Sequence, residues 1–302
     1  MRAPACLSLL LGPLVLAGCR NLDTVADVGA AAGVATGALT QEEAESIQRS
    51  GKALARTFED FTPRQEYYIG RAVGVTLLET YRVDDNAGAT RYLNLVGQSI
   101  ADAGPRPETF GGYRFAILDS TEVNAFAAPG GFVFITRGML DLCRSEDEVA
   151  AVLAHEIAHV ARRHGLAAIK QGRITDAFAI LAAESARTFG GQDLVELTDL
   201  FEASINDVTS TLMHAGYSRD QERQADADAV RILGRIGYDP HALVRVLQAM
   251  EPRLRPGGRD FARTHPPPRD RIRDLDRMLR STPATPVAAE REARFRKALG
   301  TH

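Results

Sequence analysis

The chain has 302 residues, a formal net charge of −3 and a hydrophobic content of 45%. This length is enough for one large domain or two small ones, and the charge gives no indication of nucleic-acid binding. Three cysteines are too few for a disulfide framework. The composition therefore indicates an ordinary globular protein, and evidence of function has to come from local motifs.

The first 19 residues have the pattern of a bacterial export signal. Arg2 supplies a positive charge, and an apolar run from Leu7 to Leu16 is too short to span a bilayer. The run ends in the tetrapeptide LAGC, which resembles a bacterial lipobox with Cys19 as the lipidated residue. We predict a signal peptide over 1–18 and a lipid anchor on Cys19; a conventional signal peptide is the alternative. Arg20 replaces the aspartate that often signals inner-membrane retention, which favours the outer membrane.

Residues 19–60 are predicted to tether this anchor to the domain and to include a first helix at about 41–58. Glycines recur every four residues from Gly29 to Gly37, a spacing that can bring helices together in membranes. Two aspartates and the short length of the run favour a flexible tether instead.

Two further helices are predicted at about 63–81 and 87–103, the first with Pro63 in its opening turn. The hydrophobic period then changes to that of strands at 113–118, 123–127 and 132–136. An exposed edge of this small sheet would allow strand addition by an extended peptide. Our candidates for that edge are Asn124, Ala125 and Phe126; the alternative is a sheet that only packs on the next helix.

The segment from Glu148 to His164 is predicted to be a buried helix. Ser145 and Glu148 have the spacing of a capping box, and Gly165 is a suitable stop. The helix contains the pattern H-E-x-x-H, which also occurs by chance. Its two histidines and its glutamate would be costly in an apolar helix unless they had a partner.

This pattern has the geometry of a catalytic metal site. His155 and His159 are four residues apart and share one helical face, so both can bind one metal ion. Glu156 is rotated by roughly 100° from His155. It is therefore placed to act as a base on a metal-activated water rather than as a third ligand.

A third ligand is predicted downstream. Ser218 and Gln221 have capping-box spacing, so Glu222 falls in the first turns of another helix and shares a face with Asp226. Glu222 would complete a His₂Glu site, and Asp226 could orient a ligating imidazole. The alternative is a solvated acidic helix in which Glu222 pairs with neighbouring arginines.

His265 lies in a Thr-His-Pro-Pro-Pro stretch, and the proline after it favours an extended backbone. It could enter the cleft as a fourth metal ligand in a resting state, or donate to a developing oxyanion. A loop histidine without a role is the alternative. Arg271, early in the next predicted helix, could pair with Asp226.

The sequence allows more than one interpretation of two further segments. Residues 166–216 are mostly helical and could be core, a hairpin that shields the cleft, or a membrane contact. Residues 252–302 contain 13 basic and 6 acidic residues, which could favour anionic lipid, although a solvated helix is the default.

These motifs together resemble peptidase family M48, zinc metallopeptidases, over about residues 60–280. The matching residues are His155, Glu156, His159, Tyr217, Ser218, Arg219, Glu222, Ala225, Asp226, Thr264, His265, Pro266, Pro267 and Arg271, with Asn124 to Ala127 before them. The resemblance implies one Zn²⁺ per chain bound by His155, His159 and Glu222, with Glu156 as general base. The lipobox fits the periplasmic lipoprotein branch. The resemblance implies that some relatives in this branch carry a C-terminal tetratricopeptide array. About 20 residues follow Arg280 here, fewer than one repeat of about 34, so we expect no such array in this chain.

The sequence thus predicts an α+β fold: a mostly helical, zincin-type domain over 61–280 with a small sheet beside the H-E-x-x-H helix, followed by a basic tail over 281–302. The expected function is zinc-dependent cleavage of misfolded or stalled envelope proteins. Two alternatives stay open: an assembly factor or holdase with latent protease activity, and a purely structural zinc site with His265 as its fourth ligand.

Overall fold

A computed structural model of the chain describes residues 61–169, 202–253 and 261–300, all within one compact unit. The predicted signal peptide, Cys19, the tether and the helix at 41–58 lie outside the described residues. So does 170–201, the greater part of the predicted helical segment 166–216.

The described residues include nine α-helices with defined bounds and a three-stranded sheet, which confirms the predicted α+β fold with a mostly helical composition. In chain order these are α1 Pro63–Thr80, α2 Ala87–Asp102, β1 Arg114–Leu118, β2 Ala125–Ala128, β3 Phe132–Thr136, α3 Arg137–Leu140, α4 Glu146–Ala161, α5 Arg219–Arg235, α6 Ala242–Met250, α7 Phe261–Thr264, α8 Pro268–Leu279 and α9 Ala289–Leu299. Residues 202–210 are also helical and lead into a π-helix, Thr211–Ala215, before α5.

None of the helices in these described ranges has both the length and the hydrophobicity needed to cross a bilayer.

The sheet has the order β1-β3-β2, with β1 parallel and β2 antiparallel to β3. Alternation along β3 divides its side chains between two layers. Phe134 lies against Gly74 of α1, whereas Val133 and Ile135 join the main core with α2 and α4. The strand prediction is therefore confirmed, and the sheet separates α1 from the H-E-x-x-H helix.

Helix α1 begins as predicted, because Thr62 and Gln65 form a reciprocal capping box ahead of Pro63. The helix packs directly against the turn between β2 and β3. A Cβ atom on Gly70 would lie 1.7 Å from the carbonyl oxygen of Pro129, so only glycine permits this approach. The contact fixes the turn that follows the edge strand β2.

Helix α4 lies at the centre of this unit and is buried along almost its whole length. Its predicted start is confirmed, since Ser145 Oγ accepts from the Glu148 N–H at 3.3 Å. The Glu148 carboxylate accepts from the Arg144 N–H instead of from Ser145, so the capping box is not reciprocal.

The helix ends at Ala161, earlier than the predicted stop at Gly165. Arg163 takes a left-handed conformation, with φ of 58°, and the His164 N–H donates to the His159 carbonyl at 3.1 Å. This is a Schellman motif with arginine at the position that usually holds glycine. The turn satisfies the last carbonyls of α4 and folds His164 back toward the helix.

The residues predicted as a basic tail, 281–302, include α9, which packs on the core. Phe295 is buried, and Arg294 Nε donates to Glu146 Oε2 at 2.8 Å. Arg291 lies 3.4 Å from the Asp147 carboxylate. The folded region thus extends beyond residue 280, because these arginines meet acidic partners in the first turn of α4 that local sequence patterns do not reveal.

Candidate metal centre

Three side chains from α4 and α5 converge as the sequence predicts. Nε2 of His155 lies 3.1 Å from Nε2 of His159, and the Glu222 carboxylate lies 3.6 Å from the first and 3.4 Å from the second. Each residue is at most 2% exposed. The two helices therefore deliver two imidazole nitrogens and a carboxylate to one point.

This arrangement fits a divalent metal ion. Ligands bound at 2.0–2.2 Å with tetrahedral angles lie about 3.3 Å apart, close to the separations seen here. Neither carboxylate oxygen of Glu222 takes part in a hydrogen bond with the described residues, although both are buried. Arg271 Nη1 lies 3.4 Å from Glu222 Oε2, and a cation between Glu222 and the imidazoles would supply further positive charge to this buried carboxylate.

His265 also reaches the centre. Its Nε2 atom is buried without a hydrogen-bond partner among the described residues and lies 3.6 Å from Glu222 Oε1. Thr264 Oγ1 lies 3.0 Å from the other ring nitrogen, and the Phe261 ring stacks on His265 at 3.8 Å. His155, His159, Glu222 and His265 thus form one group that could hold a metal ion.

Glu156 lies beside the centre with both carboxylate oxygens buried and without hydrogen bonds from described residues. Burial raises the pKa of Glu156 to about 7, an effect that the charge of Glu222 reinforces and those of His155 and Arg271 oppose. Its carboxylate is therefore poised to exchange a proton near neutral pH.

Asp226 lies one turn beyond Glu222 on α5. Its Oδ1 atom is 3.0 Å from Nδ1 of His155, the ring nitrogen that faces away from the centre. Arg271 contacts both Asp226 oxygens, as the sequence suggested, with Nε–Oδ2 at 3.0 Å and Nη2–Oδ1 at 2.6 Å. Burial alone would raise the pKa of Asp226, but Arg271 and His155 outweigh it and hold the pKa well below its ordinary value.

Two residues contact His159 without having been assigned that role from the sequence. Nδ1 of His164 lies 2.9 Å from Nδ1 of His159, and the Tyr217 ring stacks on the His159 ring at 4.0 Å. Burial lowers the pKa of His164, which favours its neutral form. On a straight helix, a residue five positions after His159 does not lie on the same face as His159. The contact between His164 and His159 depends instead on the Schellman turn, which sequence patterns do not reveal.

The predicted peptide-binding residues lie on and just before β2, an edge strand, but Asn124 and all of β2 are buried, so this edge is not exposed as the sequence suggested. Asn124 accepts from the Ala125 N–H at 2.9 Å, and Phe126 packs against Tyr81 on the α1 side of the sheet. Ala125 faces the core shared with α4. Any peptide contact by these residues would therefore use the β2 backbone rather than the Phe126 side chain.

Two histidines one turn apart, a carboxylate from a second helix and a free glutamate beside them define the class of metallopeptidases built on an H-E-x-x-H helix. Residues 88–279 match the sequence model of peptidase family M48. The chain belongs to this family.

The chain is similar in sequence to several proteins whose names describe them as proteases. The chain is 32% identical over 162 residues to "Mitochondrial metalloendopeptidase OMA1" of Schizosaccharomyces pombe, covering 52% of this chain and 43% of that protein. It is 27% identical over 192 residues to "Beta-barrel assembly-enhancing protease" of Escherichia coli, covering 61% and 38%. It is 28% identical over 163 residues to "Metalloprotease YcaL" of Escherichia coli, covering 53% and 60%. The chain thus spans less than two thirds of each.

Proposed function

We propose that this protein is a zinc-dependent endopeptidase of the bacterial cell envelope. The observation that carries the proposal is the convergence of His155, His159 and Glu222 at ligand spacing, with the unpaired Glu156 carboxylate beside them. Two imidazoles and one carboxylate are the ligand set of catalytic zinc in many peptidases, because they leave a position open.

Zinc in this site would acidify a water molecule and polarise a peptide carbonyl. Glu156 would take the proton of the attacking water and later give it to the leaving amine. Burial raises the pKa of Glu156, which favours uptake of the proton, whereas zinc bound nearby would lower this pKa and favour its release. Asp226 would keep the proton of His155 on Nδ1, so that Nε2 remains a ligand.

The substrates we propose are unfolded or misassembled envelope proteins. The edge position of β2, next to α4, supports binding of an extended segment by strand addition, which requires that this buried edge first be uncovered. Asn124, Ala125 and Phe126 are the residues we assign to that contact. The name of the Escherichia coli relative, a beta-barrel assembly-enhancing protease, is consistent with an envelope substrate.

The location we propose is the periplasmic face of the outer membrane, with the lipid on Cys19 as the membrane contact. The tetrapeptide LAGC after an apolar run, followed by Arg20, supports this assignment.

A second candidate is an assembly factor or holdase with latent protease activity. The observation in its favour is His265, whose Nε2 atom lies 3.6 Å from Glu222 Oε1 and could occupy the fourth metal position. If His265 blocks the fourth metal position reversibly, the His265→Ala variant will cleave substrate faster than the wild type. If the site is structural, His265→Ala will release zinc and lose stability without gaining activity.

The deciding experiment compares the wild type with Glu156→Gln on unfolded β-casein, together with zinc analysis of both proteins. Glu156→Gln keeps the ligands and removes the base, so we expect one zinc per chain in both proteins and cleavage by the wild type alone. Glu79→Gln is the matched control, since Glu79 is exposed on α1. Cleavage by Glu156→Gln at the wild-type rate would refute the assignment.

A further inference from the structure

The two histidines of the candidate metal centre are oriented by different chemistry. Nδ1 of His155 faces the Asp226 carboxylate, whereas Nδ1 of His159 faces another imidazole, that of His164, at 2.9 Å. A carboxylate only accepts, so Asp226 at 3.0 Å favours the proton on Nδ1 of His155, against the Arg271 Nη2 donor that lies 3.2 Å from the same nitrogen. An imidazole can accept or donate, so the pair of His159 and His164 needs a further residue to decide between the two arrangements.

We propose that His164 is a positioning residue that, with Gln224 and Arg162, sets the tautomer of His159 and keeps its Nε2 atom free to bind metal. This inference rests on the proposed metallopeptidase function.

The chain of hydrogen bonds begins at Arg162. Its guanidinium is fixed by Asp228, with Nη2–Oδ1 at 3.2 Å, and its Nη1 atom lies 3.2 Å from Gln224 Oε1. Arginine has donors and no acceptor, so the atom of Gln224 that it contacts must be the carbonyl oxygen. The orientation of the Gln224 amide is therefore set from outside the metal centre.

The same Gln224 oxygen lies 3.4 Å from Nε2 of His164. Because this oxygen can only accept, the proton of His164 belongs on Nε2 and its Nδ1 is the acceptor. The Nδ1–Nδ1 contact between His164 and His159 then requires the proton on Nδ1 of His159. Nε2 of His159 is left with its lone pair toward His155 and Glu222, as a metal ligand needs.

The backbone holds this arrangement in place. Arg163 turns the chain through its left-handed conformation, and the His164 N–H is bonded to the His159 carbonyl. The Tyr217 ring stacks on the His159 ring, and the planes of the two rings are 18° apart. Both rings are therefore held in the geometry that the chain of hydrogen bonds from Arg162 through Gln224 and His164 to His159 requires. We call this chain the relay.

The direct test needs no variant. In zinc-loaded wild-type protein, two-bond ¹H–¹⁵N correlation spectra distinguish the ring nitrogens of each histidine. We expect His164 with its proton on Nε2, and His159 with its proton on Nδ1. A proton on Nδ1 of His164 would overturn the relay.

A pair of variants tests the consequence for metal binding. His164→Phe keeps a ring and removes the acceptor, whereas His164→Asn places Oδ1 where Nδ1 of the imidazole lies. We expect His164→Phe to lower zinc affinity by about 10- to 100-fold, measured by competition with a chromophoric chelator. His164→Asn should recover most of that loss, and the exposed His214→Phe should bind like the wild type.

Equal losses in His164→Phe and His164→Asn would show that the ring is needed for packing alone and would overturn the proposal. Unchanged affinity in His164→Phe, with the wild type binding zinc, would overturn the relay and leave the proposed function intact. A wild-type protein without zinc affinity would overturn both. If His164→Phe does not fold, the tautomer spectrum of the wild type and the affinity of His164→Asn decide.

Discussion

The Arg271 guanidinium contacts both carboxylate oxygens of Asp226, at 3.0 and 2.6 Å, in a buried pair. The same carboxylate faces His155, so Arg271 determines where Asp226 can accept the imidazole proton. A two-point contact of this kind fixes direction as well as charge.

Replacing Asp226 by Asn should therefore affect both metal binding and folding. The variant leaves a buried guanidinium with less counter-charge, which costs about 3 kcal/mol in the free energy of unfolding. We also expect zinc affinity to fall about 10-fold or more. Urea unfolding and chelator competition measure the two effects. Asp220→Asn on the same helix is the control, because that side chain is 82% exposed; equal behaviour of the two variants would contradict this role.

Removal of the metal should lower thermal stability, because bound metal stabilises the folded state by an amount that rises with the logarithm of its concentration over Kd. A ligand that binds only the folded state at 1,000 times its Kd stabilises it by about 4 kcal/mol. We expect a chelator to lower the Tm of the wild type in differential scanning fluorimetry. Glu222→Gln should show no such response, since it lacks the third ligand. If neither zinc nor the chelator changes the Tm of the wild type, the proposed zinc site is contradicted.

The sequence predicts the metal centre well because its main residues come from short patterns with fixed spacing. His155 and His159 needed only the helical repeat, and Glu222 and Asp226 needed one capping box on a second helix. His164 could not be found in this way, because its place depends on a left-handed arginine that no propensity favours. The ion pairs of α9 were equally hidden, since Arg294 and Glu146 are 148 residues apart in the chain.

The left-handed Arg163 gives a prediction that separates backbone from side chain. Arg163→Ala and Arg163→Gly both lose the contact with the buried Glu66 carboxylate, at 3.2 Å. Glycine alone also removes the steric cost of positive φ, which is about 1 kcal/mol or more. Arg163→Gly should therefore be the more stable variant by about that amount in urea unfolding. Equal stabilities would show that the turn relaxes in Arg163→Ala.

Asp239, just before α6, gives a prediction for pH. Burial alone would raise the pKa of Asp239, but the Arg245 guanidinium, at 2.6 Å, and two backbone N–H groups hold it below its ordinary value. A depressed folded pKa stabilises the protein above the unfolded pKa of about 3.9, and this stabilisation is lost as pH falls through the folded pKa. Asp239→Asn should therefore cost about 2 kcal/mol at pH 7 and progressively less below pH 4. Urea midpoints across this range measure the difference, and a constant difference would contradict the assignment.

The docking of α9 can be tested at Phe295, which is 4% exposed. Phe295→Ala removes a buried ring and should lower the free energy of unfolding by about 3 to 5 kcal/mol. Val287→Ala, just before the helix and 44% exposed, should change it little. If the two variants unfold at the same urea concentration, α9 does not contribute to the core.

The pairing of Arg294 with Glu146 also has a consequence for the order of folding. The part of the chain through α8 contains all the proposed metal ligands, but the contacts of Glu146 and Asp147, in the first turn of α4, with Arg294 and Arg291 form only when α9 docks. We therefore expect the start of the active-site helix to become fully stable only after α9 has packed on the core.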